Sequence, residues 1–239
     1  MYKNHTFSFI TAAYGFVFFA GQLTNAAYIP IAPGEYKTGS LGAGQMHTYR
    51  FTASAGDSAT IQMGWISGYD FAPWVELQAP DGTVLDAKSG DRSAYMQSVK
   101  LPQSGAYFII AKDRSGFYGG DYGLSLVKIP GTVTVNDPNG GPMEPGEYKR
   151  GTIEPGDIDA YTFTASAGDS ATIQMARISG YDFAPCVELH APDGTVLDVK
   201  SGGSSAYMPS VKLPQSGTYF IIAKDKSGMA LPSATPLWI

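Results

Sequence analysis

The sequence predicts an all-β protein: two tandem, jelly-roll-like antiparallel β-sandwiches, the second lacking its closing strand. Three observations predict it. Apolar residues recur with period two, and no stretch after residue 30 has a helical period. The 29 Gly and 16 Pro punctuate those runs at short intervals. A shift of 112 positions lays one half of the chain on the other, and about three quarters of Pro33–Gly116 recurs in Pro145–Gly228. "FTASAGDSATIQM" stands letter for letter at Phe51 and again at Phe163. The matched residues include turns, apolar positions and surface types, so a whole fold was copied rather than a few chemical groups.

In chain order, residues 1–26 read as a signal peptide. Lys3 precedes the uncharged run Phe7–Gly21, and the small residues Thr24 and Ala26 are spaced for cleavage. The run is short of the roughly 20 residues of a spanning helix; an uncleaved anchor is the competing reading. The expected product is secreted or periplasmic, with no stable membrane insertion after cleavage. The first sandwich is expected over residues 27–130, a linker over 131–144 and the second sandwich over 145–239. Tyr49 and Phe51 alternate with polar neighbours, as do Ile61, Met63 and Trp65, then Val75 and Leu77. "APDGTV" joins Val75–Gln78 to Val84–Ala87 as a hairpin, with Pro80 presetting φ and Gly82 free to take positive φ. Tyr107, Ile109 and Ala111 follow "QSG"; Tyr122, Leu124 and Leu126 follow "GGD". About eight short strands per unit result. The second copy instead ends in "MALPSATPLWI", where Pro232 and Pro236 cannot donate to a ladder, so its closing strand is expected to be missing.

The net charge of −5 has no basic run behind it, so nucleic acid is not an expected partner. Cys186 is the one cysteine, and its counterpart Trp74 marks a packing position; no intrachain disulfide can form.

The order of these pieces resembles the bacterial pre-peptidase C-terminal (PPC) domain family. The second copy reads "VNDPNGGPMEPGEYKRGTIEPGDIDAYTFTASAGDSATI", then "APDGTVLD" and "LPQSGTYFIIAKD"; the first closes with "GGDYGLSLV". The resemblance spans nearly all of both units and implies a jelly-roll-like sandwich in a secreted protein. Such domains usually follow a peptidase and aid secretion or substrate binding, and some bind collagen and calcium. Here the signal-like segment runs almost straight into the first unit, without a peptidase domain between.

Catalysis is not expected. His5 lies in the signal segment, His47 aligns with Asp159 and His190 with Gln78, so no shared constellation contains a histidine. The nucleophile-elbow, zincin and Walker motifs are absent from the sequence. Calcium is the candidate ion. Asp157 and Asp159 lie two apart entering a strand, and Asn136 and Asp137 come from the preceding linker, where the resemblance places an Asn-Asp pair. The plainer account is a pair of solvated carboxylates beside a turn. The first copy has Gln45 and His47 instead.

Two functional classes remain. One is a secreted, non-catalytic binding module for an extracellular protein or polysaccharide, carried by Tyr69, Trp74, Tyr95, Tyr181 and Tyr207, with Phe71 and Phe183 beside them. The bland reading puts most of these aromatics in the core. The other is an accessory or remnant domain of a secreted peptidase that aids folding or export.

Overall fold

The computed structural model describes residues 28–131, 133, 139–180, 182–228 and 233–239. These are all-β; the expected signal peptide lies outside the described residues. No described helix is long and apolar enough to cross a membrane. The first domain contains β1 (Ile29–Pro30), β2 (Glu35–Leu41), β3 (Met46–Ala53), β4 (Ser58–Ser67), β5 (Pro73–Gln78), β6 (Val84–Ser89), β7 (Ser93–Lys100), β8 (Gly105–Asp113) and β9 (Gly120–Ile129). They form two sheets, ordered β1-β3-β8-β5-β6 and β2-β9-β4-β7. Pairing is antiparallel except for the two-residue edge strand β1, which runs parallel to β3. The inward residues of both sheets make one core, with Tyr49, Phe51, Ile61, Met63, Leu77 and Tyr107 fully buried. The repeated "FTASAGDSATIQM" carries the chain from β3 in one sheet to β4 in the other. Asp57 accepts the Ser54 amide at 2.9 Å to hold that corner.

The second domain repeats this plan. Its strands are β10 (Gly141–Pro142), β11 (Tyr148–Ile153), β12 (Asp159–Ala165), β13 (Ser170–Ala176), β14 (Pro185–His190), β15 (Val196–Ser201), β16 (Ser205–Lys212), β17 (Gly217–Asp225) and β18 (Ser233–Trp238). The sheets are β10-β12-β17-β14-β15 and β11-β18-β13-β16. β10, parallel to β12, falls in the stretch read as linker. The expected missing strand is a correction: β18 takes the place of β9. It pairs with β11 from Tyr148↔Trp238 to Ile153↔Ser233. Pro236 withholds one donor, but the alternation survives it, and Thr235 and Leu237 are buried. The replacement is partial. β18 meets β13 only at Gln174↔Trp238 and Met175↔Leu237, whereas β9 pairs with β4 from Ser58↔Ile129 to Ser67↔Asp121.

A third apolar cluster lies outside both sandwich cores. Val127 and Ile129 of β9 pack with Ile158, Ala160, Phe220 and Ile222 of the second domain. The outer face of the first domain's four-stranded sheet therefore docks on the outer face of the second domain's five-stranded sheet. Burying the five larger side chains is worth roughly 8–15 kcal/mol gross, at about 1.5–3 kcal/mol each. That is comparable to the net stability of a whole domain. Glycine permits the approach. A Cβ on Gly64 would collide with Gly156 N, and one on Gly123 with Pro155 O.

Candidate functional site

A cleft of about 900 Å³ opens at one end of the first domain. Its walls are the end of β4, the β4–β5 loop, the β6–β7 turn and the β8–β9 loop. Asp113 organises the loops. Its buried carboxylate accepts the Ala72 amide at 2.9 Å, the Ser115 amide at 3.1 Å and the Ser115 hydroxyl at 2.5 Å. Burial alone would raise its pKa; these hydrogen bonds outweigh burial and hold it below the ordinary carboxylate value. Asp121 is likewise lowered, first by the Ser67 hydroxyl, which donates to it at 2.6 Å.

Aromatic and charged groups line what these loops frame. The Trp65 indole N–H donates to Gly68 O at 3.0 Å, which fixes the ring. The Arg92 guanidinium lies 4.1 Å from that ring's centroid, a cation–π arrangement. Arg114 reaches Asp91 at 3.0 Å across an exposed gap. Tyr69, 86% exposed, and Tyr118 stand at the mouth. Asp70 beside them adopts φ of 55°, a left-handed conformation that a short polar side chain tolerates. Such a site offers ring faces, two cations and exposed carboxylates, the means of holding a polar ligand with apolar flanks.

The second copy keeps the frame and changes the walls. Asp225 accepts the Ala184 amide at 2.8 Å and the Ser227 amide at 3.0 Å, as Asp113 does in the first. Trp65, however, is replaced by Arg177, and Asp91–Arg92 by Gly203–Ser204. Sequence reasoning assigned Trp65 to the core by alternation and passed over Arg92 and Arg114. The available signal was the disagreement between the copies at these positions.

The expected ligand-binding aromatics are dispersed. Tyr69 is in the cleft. Trp74 is half-buried on the outer face of β5, with Lys112 Nζ 4.9 Å from its ring centroid. Tyr207 is 54% exposed on the outer face of β16. Phe71 and Phe183 are core, as the bland reading had it. Tyr181 lies outside the described residues. Tyr95 is partly buried at the seam between the domains. Its hydroxyl donates to Glu188 at 2.6 Å, and Lys224 Nζ sits 3.9 Å from its ring centroid.

Those contacts belong to a polar network across the seam. Gln97 donates to Glu188 at 2.9 Å, and His190 Nε2 lies 3.0 Å from it. A carboxylate only accepts, so Nε2 carries the hydrogen. Burial would raise Glu188; His190, Tyr95, Gln97 and the charge of Lys224 outweigh that and lower it. Burial, followed by the Glu188 charge, pushes the Tyr95 phenol well up. At the opposite edge of the sheet Tyr36 donates to Pro155 O at 3.2 Å, while on β7 Ser98, next to Gln97, donates its hydroxyl to Gly194 O at 2.5 Å. Cys186 is buried beside this network, and burial raises its thiol.

The calcium candidates sit at the same seam. Asp157 accepts the Ser125 hydroxyl of the first domain at 3.3 Å. Asp159 accepts the Tyr161 hydroxyl at 3.4 Å and lies against Gly151 within its own domain. Both are buried rather than solvated. They serve different partners, and Asn136 and Asp137 lie outside the described residues. Among the described residues no group of three or more His, Cys, Asp or Glu is placed to hold an ion.

No family model matches the chain, and no curated protein matches it. Likenesses to solved structures are remote. The PBSX exported protein XepA is 12% identical, with 87% of each chain covered and a TM-score of 0.31. Tripeptidyl peptidase 2 is 10% identical over 84% of this chain and 22% of that one, TM-score 0.30. The CUB1-EGF-CUB2 domains of rat MASP-1 are 9% identical over 89% of this chain and all of that one, TM-score 0.22.

Proposed function

We propose that this chain is an exported, non-catalytic binding module whose first-domain cleft engages an extracellular polymer, protein or polysaccharide. One observation carries the reading: the Trp65–Arg92 pair beside Tyr69 is built on a frame common to both copies, yet the second copy keeps only the tyrosine, as Tyr181, and replaces the pair by Arg177 and Ser204. A wall needed only for folding has no reason to differ while Asp113 and Asp225 keep the same loop bonds. The loop carboxylate Asp113 is committed to amides and a hydroxyl, which suits a holding role over proton transfer. The resemblance to the PPC family and the Lys3-led apolar segment support export. Calcium enters this proposal at Asp157 and Asp159, with Asn136 and Asp137 completing the ligands. A higher melting temperature of the full chain in calcium than in chelator supports it, and equal values remove it.

The test is retention of the full chain on collagen, chitin, cellulose and peptidoglycan, beside Tyr69→Ala and Arg92→Ala. A contact residue worth about 2 kcal/mol predicts a loss of roughly thirtyfold in affinity with melting unchanged. Retention undiminished in both variants sinks the cleft as the binding site.

A further inference from the structure

The outer face of the β11-β18-β13-β16 sheet carries a row of residues in direct register across all four strands. Tyr148 lies opposite Trp238, Trp238 opposite Gln174, and Gln174 opposite Tyr207. The three aromatics are 40%, 37% and 54% exposed. Tyr148 and Trp238 have ring centroids 5.0 Å apart, and Arg150 Nε donates to the Tyr148 hydroxyl at 2.7 Å. With neighbouring strands about 4.8 Å apart, the row is roughly 14 Å long.

The first domain has the same row, and there it grips the second domain. Tyr36, Ser125, Gln62 and Tyr95 are in register across β2, β9, β4 and β7. Tyr36, Ser125 and Tyr95 each bond across the seam. In the second domain the small central Ser125 is replaced by Trp238. Another copy of the chain is the first occupant to consider, and it cannot dock here as the second domain docks on the first. Close approach at the seam depends on Gly64 and Gly123, and the structural counterparts are Ala176 and Pro236. Gln97, which bonds Glu188, becomes Pro209. The row therefore cannot repeat the domain–domain contact.

We infer that this row is a polysaccharide-binding surface. None of its four strands carries Asp or Glu. What the face offers is aromatic rings, the Gln174 amide, the Thr172 hydroxyl and two cations, the Arg150 guanidinium and the Lys212 ammonium opposite Ser170. Sugar rings present C–H faces to aromatic rings and hydroxyls to amides. They need no close backbone approach, which this face has lost. The inference rests on reading the chain as a polymer-binding module; it names the polymer class and adds a contact about as long as the sheet is wide.

The experiment uses the full chain with cellulose and chitin suspensions for neutral polymers and polygalacturonate for an acidic one. Trp238→Ala and Tyr207→Ala are each expected to lower retention tenfold or more, Tyr207→Ala without moving the melting temperature. A second readout does not rely on truncation. The chain has three tryptophans, so Trp65→Phe with Trp74→Phe leaves Trp238 alone to report. Its emission is expected to shift on titration with a soluble oligosaccharide of the retained polymer. The inference is overturned if no polysaccharide is retained, if only collagen is retained, if both row variants bind as before, or if Trp238 emission stays constant at saturation. Binding lost with Tyr69→Ala and kept with the row variants overturns the row and leaves the cleft reading standing. The reverse result supports the row and sinks the cleft.

Discussion

Glu188 shows how a residue's meaning is set by what covers it. Its first-domain counterpart Glu76 accepts Gln78 Nε2 at 2.7 Å on an uncovered sheet face. Glu188 makes the same i, i+2 contact to His190 but is buried, with Tyr95 and Gln97 brought to it from the other domain. Because its folded pKa is lowered, its contribution to stability is complete above the ordinary carboxylate value. It is lost as the pH falls through the lowered value. Melting temperature is thus expected to drop in acid, with a shallower slope in Glu188→Gln; parallel slopes count against the assignment. Glu188→Ala leaves Lys224 and His190 buried without their acceptor and is expected to cost about 3–5 kcal/mol in denaturant unfolding. Gly64→Ala puts a methyl group against Gly156 N, with an expected cost of about 1–3 kcal/mol.

Among the elements, β18 is tied to the second core chiefly through Leu237. It has ladder partners on both sides only at Leu237 and Trp238, and Leu237 is the residue that enters the second core. Leu237→Ala is expected to destabilise by about 2–5 kcal/mol, measured by chemical denaturation. A loss below about 1 kcal/mol argues that β18 does not close the sheet. β18 also marks where the sequence could and could not be read. Strands such as β5 and β8 were legible because period-two burial is a property of one sandwich alone. The prolines of the last segment suggested a gap, yet a ladder tolerates a lost donor where inward residues still alternate. The seam and cleft were less legible for a different reason. Tyr95 and Tyr207 occupy equivalent places in nearly identical strands, yet one is partly buried at the seam and the other is 54% exposed. The difference comes from the neighbouring domain, which local pattern does not encode. It was visible only as isolated disagreements, such as Gly64 with Ala176 and Trp65 with Arg177.

For the whole molecule, the seam predicts that the domains unfold together. Phe220, Ile222, Val127 and Ile129 are buried only because the two sheets meet. Calorimetry of the full chain is expected to give one transition, split into two by Glu188→Ala or Gly64→Ala. Two transitions in the unmodified chain contradict this. The seam also bears on the gene. The thirteen identical residues at Phe51 and Phe163 invite unequal exchange wherever their codons match. A crossover there deletes one repeat unit and joins β1–β3 to β13–β18, a hybrid with every strand position filled. Its strand count passes, but it exposes Phe220, Ile222 and the Glu188–Lys224 pair, with no Gly64 face left to cover them. Such a hybrid is expected to be less soluble than the full chain, so a single deletion that undoes the duplication also strips the second domain of its cover.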